Sequence, residues 1–122
     1  MKINIEITNE KITDQFITAI EVGSNYWYYL KDLSMLSEKT NCLPLSERIA
    51  HAILHEKEII PVHDIENGEL LGNLTKENTK KALQIMSKDY TEAFSDIINE
   101  TGDAETADIF FQLAVMGEVV FG

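Results

Sequence analysis

The stretch that most limits what this chain can fold into is Asp103-Ala-Glu-Thr-Ala-Asp-Ile-Phe-Phe-Gln-Leu-Ala-Val-Met-Gly-Glu-Val-Val-Phe-Gly122. From Ala107 to Met116 only Asp108 and Gln112 are polar, and a helix that is apolar nearly all round belongs inside a domain. Asp103 is placed to cap it, because its carboxylate can accept the free amide hydrogens of the first turn. Gly117 suits the left-handed position just past a helix end. Glu118 to Phe121 then reads as a short strand. The expectation is a buried helix over 104–116 with the other elements packed around it.

Those other elements are of both kinds. Lys2 to Thr8 alternates Ile3, Ile5 and Ile7 with polar residues, the pattern of a half-buried strand. Ile12, Phe16, Ala19, Ile20 and Gly23 recur at three and four residues, which predicts an amphipathic helix over 10–22. Tyr26-Trp-Tyr-Tyr-Leu30 reads as strand, with Tyr26, Tyr28 and Leu30 on one side and Trp27 and Tyr29 on the other. Lys31 to Leu43 loses periodicity and reads as loop with a short helical turn. Pro44 suits the first turn of a helix over 44–56. Asn67-Gly68 is the strongest hairpin signal, so 58–66 and 69–74 should pair antiparallel. Thr75 caps a helix to about Lys88, with Ala82, Leu83 and Met86 inward, and Thr91 to Ile98 forms another, carrying Phe94, Ile97 and Ile98. One hairpin and no repeating strand–helix unit imply an α+β fold, a small antiparallel sheet packed with four to five helices.

At 122 residues the chain makes one domain. No apolar run approaches the roughly 20 residues that span a bilayer, and the single cysteine, Cys42, excludes an internal disulfide. A cytoplasmic protein is the expectation. Net charge is −11 and unevenly spread: residues 1–61 hold nine acids and six bases, residues 62–122 twelve and four. Nothing basic follows Lys88, and Arg48 is the one arginine. Binding to a phosphate backbone needs clustered Lys and Arg, so direct nucleic-acid binding is not expected. An acidic face suits a basic protein surface; its other use is to keep a small protein soluble.

Within that frame a few residue sets could carry chemistry. Asp89, Glu92, Asp96, Glu100, Asp103 and Glu105 compose the acidic face, either as a docking surface or as a solvated helix exterior. Tyr26, Tyr28 and Tyr29 are the recognition candidates, since aromatic side chains offer rigid contact area; the competing reading is a core strand anchored by Trp27. Asp108, Gln112 and Glu118 need partners if buried, and tying the last helix to the Tyr-Trp segment and the Gly23 turn is favoured over lining a small-molecule pocket. His51 and His55 stand four apart on one helix face, a spacing that can chelate a metal, but Ala52 stands where a zinc-protease helix has glutamate. No metal and no cofactor is expected, and no phosphate-binding glycine loop is present: neither Gly68 nor Gly72 precedes a Lys-Ser/Thr pair.

Two segments resemble a known group. Glu21-Val-Gly-Ser-Asn-Tyr-Trp27 is similar to the Glu-Gly-Gly-x-x-Tyr-Trp segment of a small family of uncharacterised proteins encoded by phages and prophages. Ala107 to Gly122 resembles the family's closing Ala-Asp-x-x-x-Gln-x-Ala-x-x-Gly-Glu-x-Val-Tyr-Gly. Val22 stands for the first glycine of the pair and Phe121 for the tyrosine, which removes a hydroxyl. The similarity covers most of the chain except roughly residues 31–57, which look like an insertion. It implies a phage or mobile-element origin and a small α+β fold, and it brings no activity with it. With the acidity, it makes a non-enzymatic, anti-CRISPR-like inhibitor that binds a basic host protein the first expectation. A sponge for a nucleotide signal, needing Arg48, Lys80 and Lys81 to converge, is the second, and a metal-dependent enzyme a distant third. A homodimer burying the outward aromatics is compatible with the first two.

Overall fold

The computed structural model describes residues 6–122. The strand expected over Lys2–Thr8 falls mostly on residues 1–5, outside the described residues; residues 6–8 run without regular structure into the first helix. That helix, α1, is Asn9–Thr18, and the Thr8 hydroxyl caps it by accepting from Lys11 N at 3.2 Å. It does not stop at Thr18. Ala19–Gly23 continues it as a wider π turn, the kind of bulge that frees a backbone carbonyl. The Ile20 carbonyl is used at once: Tyr28 Oη donates to it at 2.6 Å.

The strands β1 (Tyr28–Tyr29), β2 (Ile60–Asp64) and β3 (Leu70–Leu74) form one antiparallel sheet in the order β1-β2-β3. The hairpin forms as the Asn-Gly signal predicts, but through a longer loop. Gly68 holds φ of +73°, Gly68 N donates to Asp64 O, and Asp64 Oδ1 accepts from Glu66 N at 2.7 Å. Pairing of Ile60 with Leu74 and of Val62 with Gly72 turns Ile60, Val62 and Leu74 fully inward. At Gly72 the last helix lies so close that an added Cβ would come within 1.9 Å of Val115 O, so only glycine fits.

Five helices among the described residues pack with this sheet, as an α+β fold requires: α1, α2 (Leu45–His55), α3 (Lys76–Asp89), α4 (Thr91–Asn99) and α5 (Ala104–Met116). Helix α5 is central. Phe110, Phe111, Gln112, Leu113, Ala114 and Val115 are all buried, and Phe16 meets Phe110 and Phe111 edge-on at 5.1 and 6.3 Å. Asp103 caps α5 by accepting from Thr106 N at 3.1 Å, and Gly117 ends it at φ of +76°.

Residues 31–57 do not sit outside this core. Ile49, Ala50, Ala52 and Ile53 of α2 are fully buried; the part before Pro44 is loop with a short 3-10 turn, Glu38–Thr40, and Glu56 and Lys57 lie past the end of α2.

Two expectations about strands fail. Glu118–Phe121 forms no strand, because its backbone is satisfied by a side chain, as described below. The aromatic strand shrinks to Tyr28–Tyr29, since Asn25, Tyr26 and Trp27 form a turn closed by Trp27 N donating to Ser24 O. The alternation fails with it: Trp27 is 2% exposed while Tyr29, assigned to the same side, is 49% exposed.

Candidate functional site

Two groups of carboxylates lie along the first half of α5, and they are built differently. The inner one centres on Asp108. Its Oδ1 accepts from Ser24 Oγ at 2.7 Å and from Trp27 Nε1 at 2.8 Å; its Oδ2 accepts from Tyr26 Oη at 2.6 Å and from Gln112 Nε2 at 3.1 Å. Four donors fill the four acceptor positions of a carboxylate. Gln112, 1% exposed, then holds the chain end: its Oε1 accepts from Val120 N and Phe121 N at 2.8 and 2.9 Å, and its Nε2 donates to Phe121 O at 3.0 Å. One side-chain amide thus replaces the neighbouring strand that Glu118–Phe121 lacks. Phe121 stacks on Trp27 with centroids 5.3 Å apart. Tyr26 bears the mark of the knot. The Tyr26 hydroxyl has its pKa pushed from 10.0 to about 12, first by partial desolvation and then by the bond to Asp108 and its charge. Tyr28 is raised as well, by burial first and the charge of Glu21 second.

The outer group faces an open crevice of about 520 Å³ between α4 and the start of α5. Asp89 closes α3, Glu92 and Asp96 stand one turn apart on α4, and Asp103 and Glu105 open α5. All five line the crevice, whose floor includes Tyr90, Ala93 and Ile109. Among the described residues none of the five is in an ion pair. Local reasons account for part of this placement, since acids in a first helical turn meet the positive end of the helix dipole. Asp103 is held below the usual carboxylate range, chiefly by the Thr106 N–H it accepts. Those reasons place individual acids, not the concave surface that five of them share.

Of the residues singled out from sequence, Asp89, Glu92 and Asp96 come together here, and Asp103 and Glu105 join them. Glu100 does not. It takes the left-handed position ending α4, at φ of +57°, and faces a separate small hollow with Lys11 and Asp14. Tyr26 lies at the knot, Tyr28 is half-buried with its hydroxyl bonded within the fold, and Tyr29 projects from the sheet 49% exposed. Glu118, considered with Asp108 and Gln112, is exposed. His51 and His55 have ring centroids 5.0 Å apart, with His51 Nδ1 3.2 Å from Glu56 Oε1. No group of three or more His, Cys, Asp or Glu among the described residues is arranged to hold a metal. Cys42 is exposed.

What sequence reasoning missed is a hollow of about 440 Å³ beside the crevice, lined by Val22, Tyr26, Val119 and Phe121 and sharing Tyr90, Glu105 and Ile109 with it. Val22, which borders it, is 59% exposed. Among the described residues no helix is long and apolar enough to cross a membrane. No protein-family model, no curated protein and no solved structure matches the chain.

Proposed function

We propose that this is a non-enzymatic binding protein, of phage or mobile-element origin, that presents the α4–α5 crevice to the basic surface of a host protein in the manner of an anti-defence inhibitor. The observation that carries the reading is the gathering of five carboxylates in one concave surface with no cation among the described residues paired to them. Leaving like charges side by side costs electrostatic energy that an incoming cationic surface relieves. The test is a tagged pull-down from lysate of a bacterium with intact defence systems, at low and high salt. A single stoichiometric partner, lost at high salt and lost when Asp89, Glu92 and Asp96 are neutralised, supports it. A partner retained by the neutralised protein sinks it.

A phosphate-bearing small molecule is the second reading, and one observation favours it. Lys57, Lys76 and Lys80 line a cleft of about 410 Å³ at the start of α3, with Thr75 and Glu77. It is not the site first expected, because Arg48 is engaged elsewhere, donating to Thr40 Oγ1 and Ser37 O. Thermal-shift screening with nucleotides checks it: stabilisation that disappears in Lys76→Ala and Lys80→Ala favours the sponge over the inhibitor.

A further inference from the structure

Resting on the crevice reading, we propose that the segment recognised is amphipathic: basic side chains enter the crevice and a bulky apolar side chain of the same segment seats in the hollow next to it. Three features lead there. The two concavities are contiguous, since Tyr90, Glu105 and Ile109 line both. A single extended or helical segment therefore spans them.

The polar side chains of the hollow other than Glu105 and Tyr90, which it shares with the crevice, are already spent. Asp108 has all four acceptor positions filled, Tyr26 Oη donates to it, and Gln112 is committed to the Val120–Phe121 backbone. A polar ligand group set against these three side chains would lose water and find no partner, which disfavours it. An apolar group gains. Val22, 59% exposed, and Val119, 37% exposed, flank the hollow and would be covered by it.

Charge complementarity names the rest of the occupant. Among the described residues the crevice continuous with the hollow is lined by acids and by no base, so the residues flanking the apolar anchor are Lys or Arg. An acidic or neutral apolar segment would face the same carboxylates without compensation.

The test is selection of twelve-residue peptides from a random display library on the intact protein, followed by affinity measurement on the enriched sequences. Expected are peptides with two or more Lys or Arg and one large apolar residue, whose replacement by Ser weakens binding about ten-fold or more. In Val119→Asp, whose altered residue is partly exposed, the anchored and Ser peptides should bind alike. In Glu92→Gln/Asp96→Asn both should weaken together. Circular dichroism verifies that each variant is folded. Enriched peptides that are basic but indifferent to the apolar replacement overturn this inference and leave the crevice reading standing. Enrichment of non-basic peptides, or of none, overturns both. Sedimentation showing that the chain self-associates, and that Val119→Asp abolishes this, assigns the hollow to a second copy and also overturns it.

Discussion

Glu105 and Asp108 stand three residues apart on one helix, so they are neighbours on its surface, yet the fold uses them in opposite ways. Asp108 is enclosed by Ser24, Tyr26, Trp27 and Gln112, with every acceptor position occupied. Glu105 opens to the crevice beside Asp89, Glu92, Asp96 and Asp103, where no cation among the described residues is paired with it. The inner carboxylate joins three parts of the chain: the turn after the π segment, α5, and through Gln112 the chain end. The outer ones make only local bonds, Asp103 with Thr106 at the start of α5 and Asp96 with Thr101 just past α4. An acid whose valences are filled inside the fold is expected to matter for stability, and an acid left to solvent for what the protein meets.

The sharpest way to break that contrast is Asp108→Ala. It strands the Ser24 hydroxyl and the Trp27 indole N–H, both on residues that are buried, and should cost roughly 2–4 kcal/mol in chemical denaturation. A loss under about 0.5 kcal/mol would show that the knot is incidental. Next in size is Gln112→Leu, which keeps the volume but releases the amides of Val120 and Phe121. Since Val120 is 54% exposed, water can replace part of what is lost, so roughly 1–2 kcal/mol is expected. Hydrogen exchange should quicken at Val120 and Phe121, and Trp27 fluorescence should change as Phe121 leaves its face. Unchanged exchange would mean that the segment is held by something other than Gln112.

Much of the inner region was legible in the sequence. Asp103 and Gly117 mark the ends of α5 by capping chemistry, and a polar pair inside an apolar helix demands partners, so Asp108 and Gln112 could be read as ties. The form of the ties could not. Glu118–Phe121 has the composition of a strand, but the amides of Val120 and Phe121 donate to one glutamine side chain, which no local pattern reveals. Tyr26 and Trp27 likewise look like strand and form a turn, because Asp108, more than eighty residues on, draws both side chains to one point. The acidic face was visible as a run of acids without bases. Its concavity depends on how α4 packs against α5, and the same packing leaves Glu100 outside it.

Tyr26→Phe gives a smaller effect and a signed pH dependence. The folded hydroxyl titrates at about 12 against 10.0 when unperturbed, so the fold holds this proton more tightly than the unfolded chain does. The associated stability is whole below pH 10.0 and is lost as pH rises through about 12. Wild-type protein should therefore lose stability across that window more steeply than Tyr26→Phe, which at neutral pH should cost only about 0.5–1.5 kcal/mol. Tyrosinate absorbance, compared between the two proteins, isolates Tyr26 from Tyr28, which is also raised. Identical alkaline profiles would show that the hydroxyl is not tied to Asp108 in solution.

The smallest expected effect on stability tests the other half of the comparison. Neutralising the crevice with Asp89→Asn, Glu92→Gln, Asp96→Asn and Glu105→Gln removes mutual repulsion. It also takes two acids, Glu92 and Glu105, from the first turns of α4 and α5, where the helix dipole favours them. Asp89 sits at the end of α3, where the dipole opposes a negative charge, so its loss pulls the other way. Asp96→Asn keeps the acceptor that Thr101 Oγ1 uses at 3.0 Å. These terms are each a few tenths of a kcal/mol and of mixed sign, so the sum should stay within about 0.5 kcal/mol of wild type. Added salt should stabilise the wild-type protein slightly and the neutralised one less, because screening relieves only the repulsion that is present. A loss beyond about 2 kcal/mol would mean that the outer carboxylates hold the fold as Asp108 does. The crevice would then have a structural explanation, and its claim to be the surface a partner meets would fall with it.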